Sequence, residues 1–356
     1  MKILFDIGHP ADVHYFKNLI FHLRERENQI IVLARDKDVT LELLNAYQIS
    51  YINKGKGGVA YIDRLKYIQK SCRLIDKTIR EFSPELCISH ASPYLAVVAR
   101  YHKIRHIMFN DTERAILFKR VVKYCKPDVY SPEAFLQKKI KGLNLLPSYK
   151  ELAYLHPDVY RPQKSDHILE NLGDHYILLR FVANKATHDI YTTQMNMAYK
   201  KELVDTLSRY GNVWISSESQ LPDDLNQYIV ETDPSYIHDV INNASLLVGD
   251  SATMSSEAAM LGVPSIFINQ NRLGYINELE QNYGLVQQFM SDEAGCKKAL
   301  ETAIAILEDE NSEKKFLQRR DKMLSEKENM TDLMISIVEK TATEAGLIQK
   351  QTETAS

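Results

Sequence analysis

The sequence predicts an α/β protein of two Rossmann-like β/α domains, each built on a parallel sheet. Three observations carry that expectation. Short apolar runs alternate with segments of helical spacing along most of the chain. The 356 residues exceed the size at which a single core usually suffices. A proline-bearing interval, 146–164 with Pro147, Pro157 and Pro162, interrupts the alternation and reads as a linker. The expected domains are 1–160 and 165–325, with 326–348 a C-terminal helix packing back on the first domain and 349–356 a disordered tail.

KILFDIG (2–8) has the unbroken apolar pattern of a buried strand and ends in Gly8-His9-Pro10. Val13, Phe16, Leu19, Ile20 and Leu23 then mark one helical stripe. QIIVLARD (29–36) and VTLELLNAY (39–47) repeat the pair. Such units imply right-handed crossovers, and ligands then lie outside the strands' carboxyl ends. No G-x-G-x-x-G follows the first strand, which argues against a standard dinucleotide site there. Lys54-Gly55-Lys56-Gly57-Gly58 reads as a turn, with an anion clamp as the alternative. A helix over 61–82, a strand LCISH (86–90), a helix over 94–103 and a strand HIMFN (106–110) follow.

His9, Asp12 and His14 lie just past the first strand, His90 and Ser92 at the end of LCISH, and Asp111, Thr112 and Glu113 after HIMFN. Each alone is more often a cap, and Asp111 before a helical run suits an N-cap. In a parallel sheet, however, these loops converge on one crevice. From Arg114 to Lys141, Lys119, Arg120, Lys123, Lys126, Lys138 and Lys139 interleave with apolar residues. The plain reading is a solvated helical face over a core-facing stripe. The alternative is contact with anionic lipid or an acidic acceptor.

The second domain opens with the strand YILLRF (176–181) and a polar segment containing Asn184, Lys185, Thr187 and His188. Arg180 could neutralise a diphosphate or form a surface salt bridge. A helix over 196–209, a strand NVWISSE (212–218), a short strand QYIVE (227–231) and a helix over 235–244 come next. Residues 244–269 then read strand, turn, helix, turn, strand: ASLLVGD, SATMSSEAAMLG, VPSIFIN. A helix N-terminus after a parallel strand presents free N–H groups and the positive dipole end, which suits a phosphate. Ser251, Thr253, Ser255 and Ser256 would let an anion approach, and Glu257 could accept hydrogen bonds from a ribose. The competing reading makes the hydroxyls caps and Glu257 a first-turn carboxylate. A capping box would need Ser or Thr where Met254 stands. A helix and short strand over 275–289 and a charged helical region over 293–340 complete the chain.

With 44% hydrophobic and 26% charged residues the composition is that of an ordinary soluble globular protein. The net charge of −3 argues against a nucleic-acid binder. Cys72, Cys87, Cys125 and Cys296 are scattered, without C-x-x-C spacing, so neither a metal site nor a disulfide framework is expected. The N-terminus shows no signal-peptide pattern and no apolar run is long enough to span a bilayer, so a cytoplasmic location is expected.

FDIGHPADVHYFKNLI, ARDKDVTLELLNAY, FNDTERA, YKELAYLHPDVYRP and GDSATMSSEAAMLGVPSI resemble the DUF354 family, within the GT-B group of sugar-nucleotide enzymes. The resemblance runs from the first strand to about residue 290. It implies a GT-B-like fold with an interdomain cleft and a nucleotide-diphosphate sugar, UDP-linked by expectation, held mainly by the second domain. It also implies that no metal or cofactor is needed. The substrate is expected at Arg180, Asn184, His188, Asp250, Ser251, Thr253, Met254, Ser255 and Glu257, with Gly8 and His90 across the cleft. A glycosyltransferase acting on a glycan or lipid-linked acceptor in surface polysaccharide or glycoconjugate synthesis is the leading expectation. His9, whose ordinary pKa lies near neutrality, is then the first candidate base, followed by Asp111 and Glu113. A UDP-N-acetylglucosamine 2-epimerase and a catalytically silent sugar-nucleotide binder are the alternatives. Against the epimerase, the His-Arg-x-Glu-Asn segment of that group reads Leu179-Arg180-Phe181-Val182-Ala183-Asn184 here. Residues 114–141 could rest on the inner face of a membrane.

Overall fold

The computed structural model describes residues 1–58, 60–111, 118–162, 172–173, 175–182, 195–218 and 220–347. The chain divides into two compact units, Met1–Tyr154 with the segment from Glu328 onward, and Leu155–Lys327. Each contains one parallel sheet.

In the first unit the strands are β1 (Lys2–Ile7), β2 (Gln29–Asp36), β3 (Ile52–Lys56), β4 (Leu86–His90), β5 (Arg105–Phe109), β6 (Asp128–Pro132) and β7 (Leu143–Leu146). They are ordered β3-β2-β1-β4-β5-β6-β7. The order reverses between β1 and β4, which pair in parallel with Asp6 beside Ser89. That reversal places the loops after both strands next to each other at the carboxyl edge, where ligands of open α/β sheets bind. Helix α1 (Pro10–Glu25) begins there, with His9 as its N-cap and Pro10 at its first position. It buries Val13, Phe16, Leu19, Ile20 and Leu23, the stripe read from the sequence. Helix α2 (Thr40–Ala46) packs beside it. Helices α3 (Tyr61–Phe82), α4 (Pro93–Tyr101) and α5 (Phe118–Cys125) form a separate layer, α3 against α4 and α4 against α5. Leu4, Leu33, Ile75, Cys87, Leu95 and Val98 fill the core beneath α3 and α4.

In the second unit β8 (Tyr176–Phe181), β9 (Val213–Ser217), β10 (Ala244–Gly249), β11 (Ser265–Ile268) and β12 (Val286–Phe289) are ordered β12-β11-β10-β8-β9. The reversal lies between β8 and β10, so the turn after Gly249 stands at this sheet's switch point. Leu179, Phe181, Leu203, Val248, Ile266 and Ala299 belong to its core. Gly249 pairs with Arg180 across β10 and β8, and a Cβ there would lie 2.2 Å from the Arg180 carbonyl oxygen. Gly249→Ala is therefore expected to cost about 3 kcal/mol, the upper end for overpacking, read as a fall in the urea midpoint.

Three local readings change. Lys54 and Gly55 lie within β3; Lys54 is buried and ion-paired to Asp6, which also accepts 2.6 Å from Ser92 Oγ. A Lys-Gly pair resembles a turn only until a buried carboxylate supplies its partner. QYIVE forms no strand: the Tyr228 and Ile229 N–H groups bond back to Leu225 and Asn226, leaving a single bridge from Ile229 to Ile215. The interval read as a linker starts inside the first unit, with Ser148, Tyr149, Lys150 and Glu151 buried and Leu152, Ala153 and Tyr154 in its core. Helix Met330–Glu344 also belongs to this unit, where it packs on α1 and Thr331 Oγ1 donates 2.7 Å to the Ala153 carbonyl. The expected tail, 349–356, lies outside the described residues.

Candidate functional site

At the carboxyl edge of the first sheet a buried charged cluster joins the loops after β1, β4 and β5 with the segment after β7. His90 sits between two carboxylates, its Nδ1 3.1 Å from Asp12 Oδ1 and its Nε2 3.0 Å from Asp111 Oδ1. Lys150 Nζ donates 3.3 Å to Asp12 Oδ1 and lies 3.8 Å from Asp111 Oδ2. The Gly8 N–H donates 3.2 Å to Asp12 Oδ2, which ties the strand end to the first turn of α1. Two cations thus face two anions in a site where an unpaired charge would be costly.

The electrostatics follow from that packing. Burial and Lys150 oppose the His90 imidazolium, but Asp111 and Asp12 outweigh them and push its pKa up to about 9. Burial works against the Asp12 carboxylate, yet Lys150 and His90 hold it well below the usual range. Burial works against the Lys150 ammonium, but Asp111, Asp12 and Glu151 outweigh it and raise its pKa above the ordinary value. Tyr15, edge-on to His90, keeps its phenolic proton because burial, Asp111 and Asp12 all disfavour the phenolate. The cleft beside Asp111 has a volume of only about 10 Å³, room for roughly one water. The Asp111 side chain is 18% exposed against 4% for Asp12, so it is the carboxylate a substrate could reach.

His9 has a different part from the one its residue type suggests. It is exposed, and its Nδ1 accepts the Ala11 N–H at 3.3 Å as the α1 cap. Partial desolvation of the ring by the neighbouring protein and repulsion from Lys37 lower its pKa. With Nδ1 accepting, the proton rests on Nε2, and the ring offers the solvent a donor. His14 is buried, with Nδ1 3.2 Å from the Tyr47 hydroxyl. Glu113 lies outside the described residues.

In the second unit Asp250 Oδ1 accepts the Val182 N–H at 2.8 Å, bracing the loops after β8 and β10. Burial raises its pKa. Ser251 caps the helix Ala252–Leu261 by accepting the Met254 N–H at 3.3 Å. Ala252 and Thr253 remain partly exposed at this helix end, whereas Met254, Ser255, Ser256 and Glu257 are buried. Ser256 Oγ donates 2.9 Å to the Thr253 carbonyl, and Ser255 Oγ is buried with no hydrogen-bond partner among the described residues. Glu257 Oε1 is 3.1 Å from His238 Nε2, both side chains buried. Arg180 donates 2.8 Å to Ser216 Oγ and is ion-paired to Glu218. Asn184 and His188 lie outside the described residues.

Two lysines in these clusters escape the sequence reading. Lys150 lies in the stretch taken as a linker. Lys200 is buried, with its ammonium 4.7 Å over the Phe181 ring and close enough to Asp250 for each to favour the other's charge. Its signal is a cation on the buried stripe of helix Met197–Leu207, one turn before Leu203 and Val204. Among the described residues no group of three or more His, Cys, Asp or Glu could hold a metal ion.

Solved structures share this architecture across nearly the whole chain. The UDP co-structure of S. aureus MnaA superposes with a TM-score of 0.71 at 12% identity, covering 100% of both chains. The UDP-GlcNAc 2-epimerase from Neisseria meningitidis, bound to UDP-GlcNAc, gives 0.68 at 12% identity, covering 96% of this chain and 100% of that one. Spinosyn forosaminyltransferase SpnP gives 0.65 at 12% identity, with 96% and 99% coverage. At such identity the likeness establishes a GT-B-like fold. No curated protein matches the chain. The model of the family described as "Protein of unknown function (DUF354)" matches residues 1–343, and the chain belongs to that family.

Proposed function

We propose that this chain is a glycosyltransferase that moves a sugar from a nucleotide diphosphate, UDP by preference, to a hydroxyl of a glycan or lipid-linked acceptor. The observation that carries this reading is the buried His90–Asp111–Asp12–Lys150 cluster at the switch point of the first sheet, with Asp111 open to solvent. Asp111 takes the acceptor's proton as the acceptor oxygen bonds to the anomeric carbon. The bond from that carbon to the diphosphate breaks, and the nucleotide diphosphate leaves. His90 and Lys150 position Asp111, and His9 Nε2 donates a hydrogen bond to the substrate. The helix end at the partly exposed Ala252 and Thr253, with Lys200 of the same unit, offsets charge on the departing diphosphate. Asp111 replaces His9 as the leading base because the His9 lone pair is engaged as a cap.

A 2-epimerase is the second reading. The same cluster offers a protonated imidazole beside a carboxylate, the acid and base that elimination and re-addition of a nucleotide require. Incubation with UDP-N-acetylglucosamine alone in D₂O separates the two. The transferase reading expects no deuterium at C2, and release of UDP only when an acceptor is added. Deuterium incorporation without acceptor would overturn it in favour of the epimerase.

Glu257 was expected to hold the ribose, and its burial against His238 supplies a rival role. If it does hold the ribose, Glu257→Gln lowers UDP affinity by roughly tenfold, the worth of a charged hydrogen bond. Unchanged affinity by calorimetry, with a lowered melting temperature, would assign Glu257 to the fold alone.

A further inference from the structure

We propose that the outer face of the α3–α4–α5 layer docks on an anionic lipid bilayer. Among the described residues twelve large apolar side chains are exposed, and six of them lie on these three helices: Ile62, Leu65, Ile68, Val97, Tyr101 and Tyr124. Leu65 and Ile68 carry the apolar stripe of Cys72, Ile75 and Ile79 toward the N-terminus of α3, beyond the part that packs in the core, and Ile62 one turn earlier is exposed as well. Exposed apolar residues scattered singly need no explanation, but a concentration on one layer does.

The charge on this face is equally one-sided. Arg64, Lys66, Lys70 and Arg73 flank the α3 stripe, all exposed. Lys119 and Lys123 of α5 and Lys126 just after it line a groove of about 900 Å³ together with Lys138, Lys139 and Lys141, with Val122, Pro127 and Ile140 also in its lining. The acidic residues of α3 are Asp63, Asp76 and Glu81; Asp76 is occupied by Arg80 and His102, and Glu81 pairs with Lys77. This basic face belongs to a chain whose net charge is −3, so it is a local field and not a general property. Apolar side chains ringed by lysine and arginine suit shallow insertion among acidic headgroups, with the lysine groove receiving lipid phosphates. Among the described residues no helix is long and apolar enough to cross a membrane, so contact from this face would be peripheral. The inference is independent of which reaction the chain performs.

The test is co-sedimentation of the full chain with vesicles of phosphatidylglycerol in phosphatidylcholine, against vesicles of phosphatidylcholine alone. Binding to the anionic vesicles is expected to weaken with salt and to fall about fivefold for each cation removed, hence on the order of a hundredfold in Lys119→Ala/Lys123→Ala/Lys126→Ala. Leu65→Glu/Ile68→Glu, at exposed positions, is expected to abolish binding while leaving the melting temperature unchanged. Equal sedimentation of the wild type and both folded variants, or none with anionic lipid, would overturn the proposal. So would a lipid-free dimer that Leu65→Glu/Ile68→Glu converts to monomer, because the face would then be covered by a second copy.

Discussion

Lys150→Met is expected to destabilise the first unit by about 3–5 kcal/mol and to abolish turnover, because it leaves Asp12 and Asp111 facing each other in a buried site with only His90 between them. Urea denaturation of the purified variant measures the first effect. The cost arises from the stranded carboxylates more than from the lost pair. Adding Asp12→Asn in the same chain should therefore recover much of the stability, giving a coupling energy of about 1–3 kcal/mol in the double-mutant cycle. Activity should not return, since Asp111 would still lack the cation that holds it in place. Additive losses would show that Lys150 acts independently of the carboxylates, and recovered turnover would remove it from the positioning of Asp111.

Lys150 also shows where the sequence stops being legible. The alternation that predicts two parallel sheets is local, a matter of apolar spacing within ten or twenty residues, and it survives in β1, β2, β4, β5, β8, β9, β10 and β11. Convergence of the loops carrying Asp12, His90 and Asp111 is legible as well, since parallel topology alone brings strand ends to one edge. What topology cannot show is which side chains pair. Lys150 reaches the cluster from 138 residues beyond Asp12, in a segment whose prolines suggest a connection. Strands β6 and β7 were hidden for a related reason: they are short, and the lysines around them suggest a solvated helix where the described helix spans only Phe118–Cys125. Glu257 shows the same limit. Its carboxylate beside small hydroxyl residues suggests a ligand's hydroxyls, but a buried partner 19 residues upstream, His238, is invisible to spacing.

The stabilising effect of the His90 cluster is expected to be greatest in mildly acidic solution and to disappear toward alkaline pH. Folding raises the His90 pKa from 6.5 to about 9, so its contribution is complete below about pH 6.5 and is lost as pH rises through 9. Asp12 behaves in the opposite sense. Its folded value lies below the ordinary 3.8, so its contribution is present above that pH and is lost as the solution becomes more acidic still. Both effects are in place together between about pH 4 and 6.5. The difference in unfolding free energy between wild type and His90→Gln cancels the titrations of groups outside this cluster. That difference should be on the order of 2–3 kcal/mol larger at pH 6 than at pH 10. If His90 also orients Asp111 for proton transfer, kcat should fall with an apparent pKa near 9, a limb absent from the His90→Gln profile. A difference that stays constant from pH 6 to 10 would mean that folding leaves the His90 pKa at its ordinary value, so that the carboxylates do not hold the imidazolium.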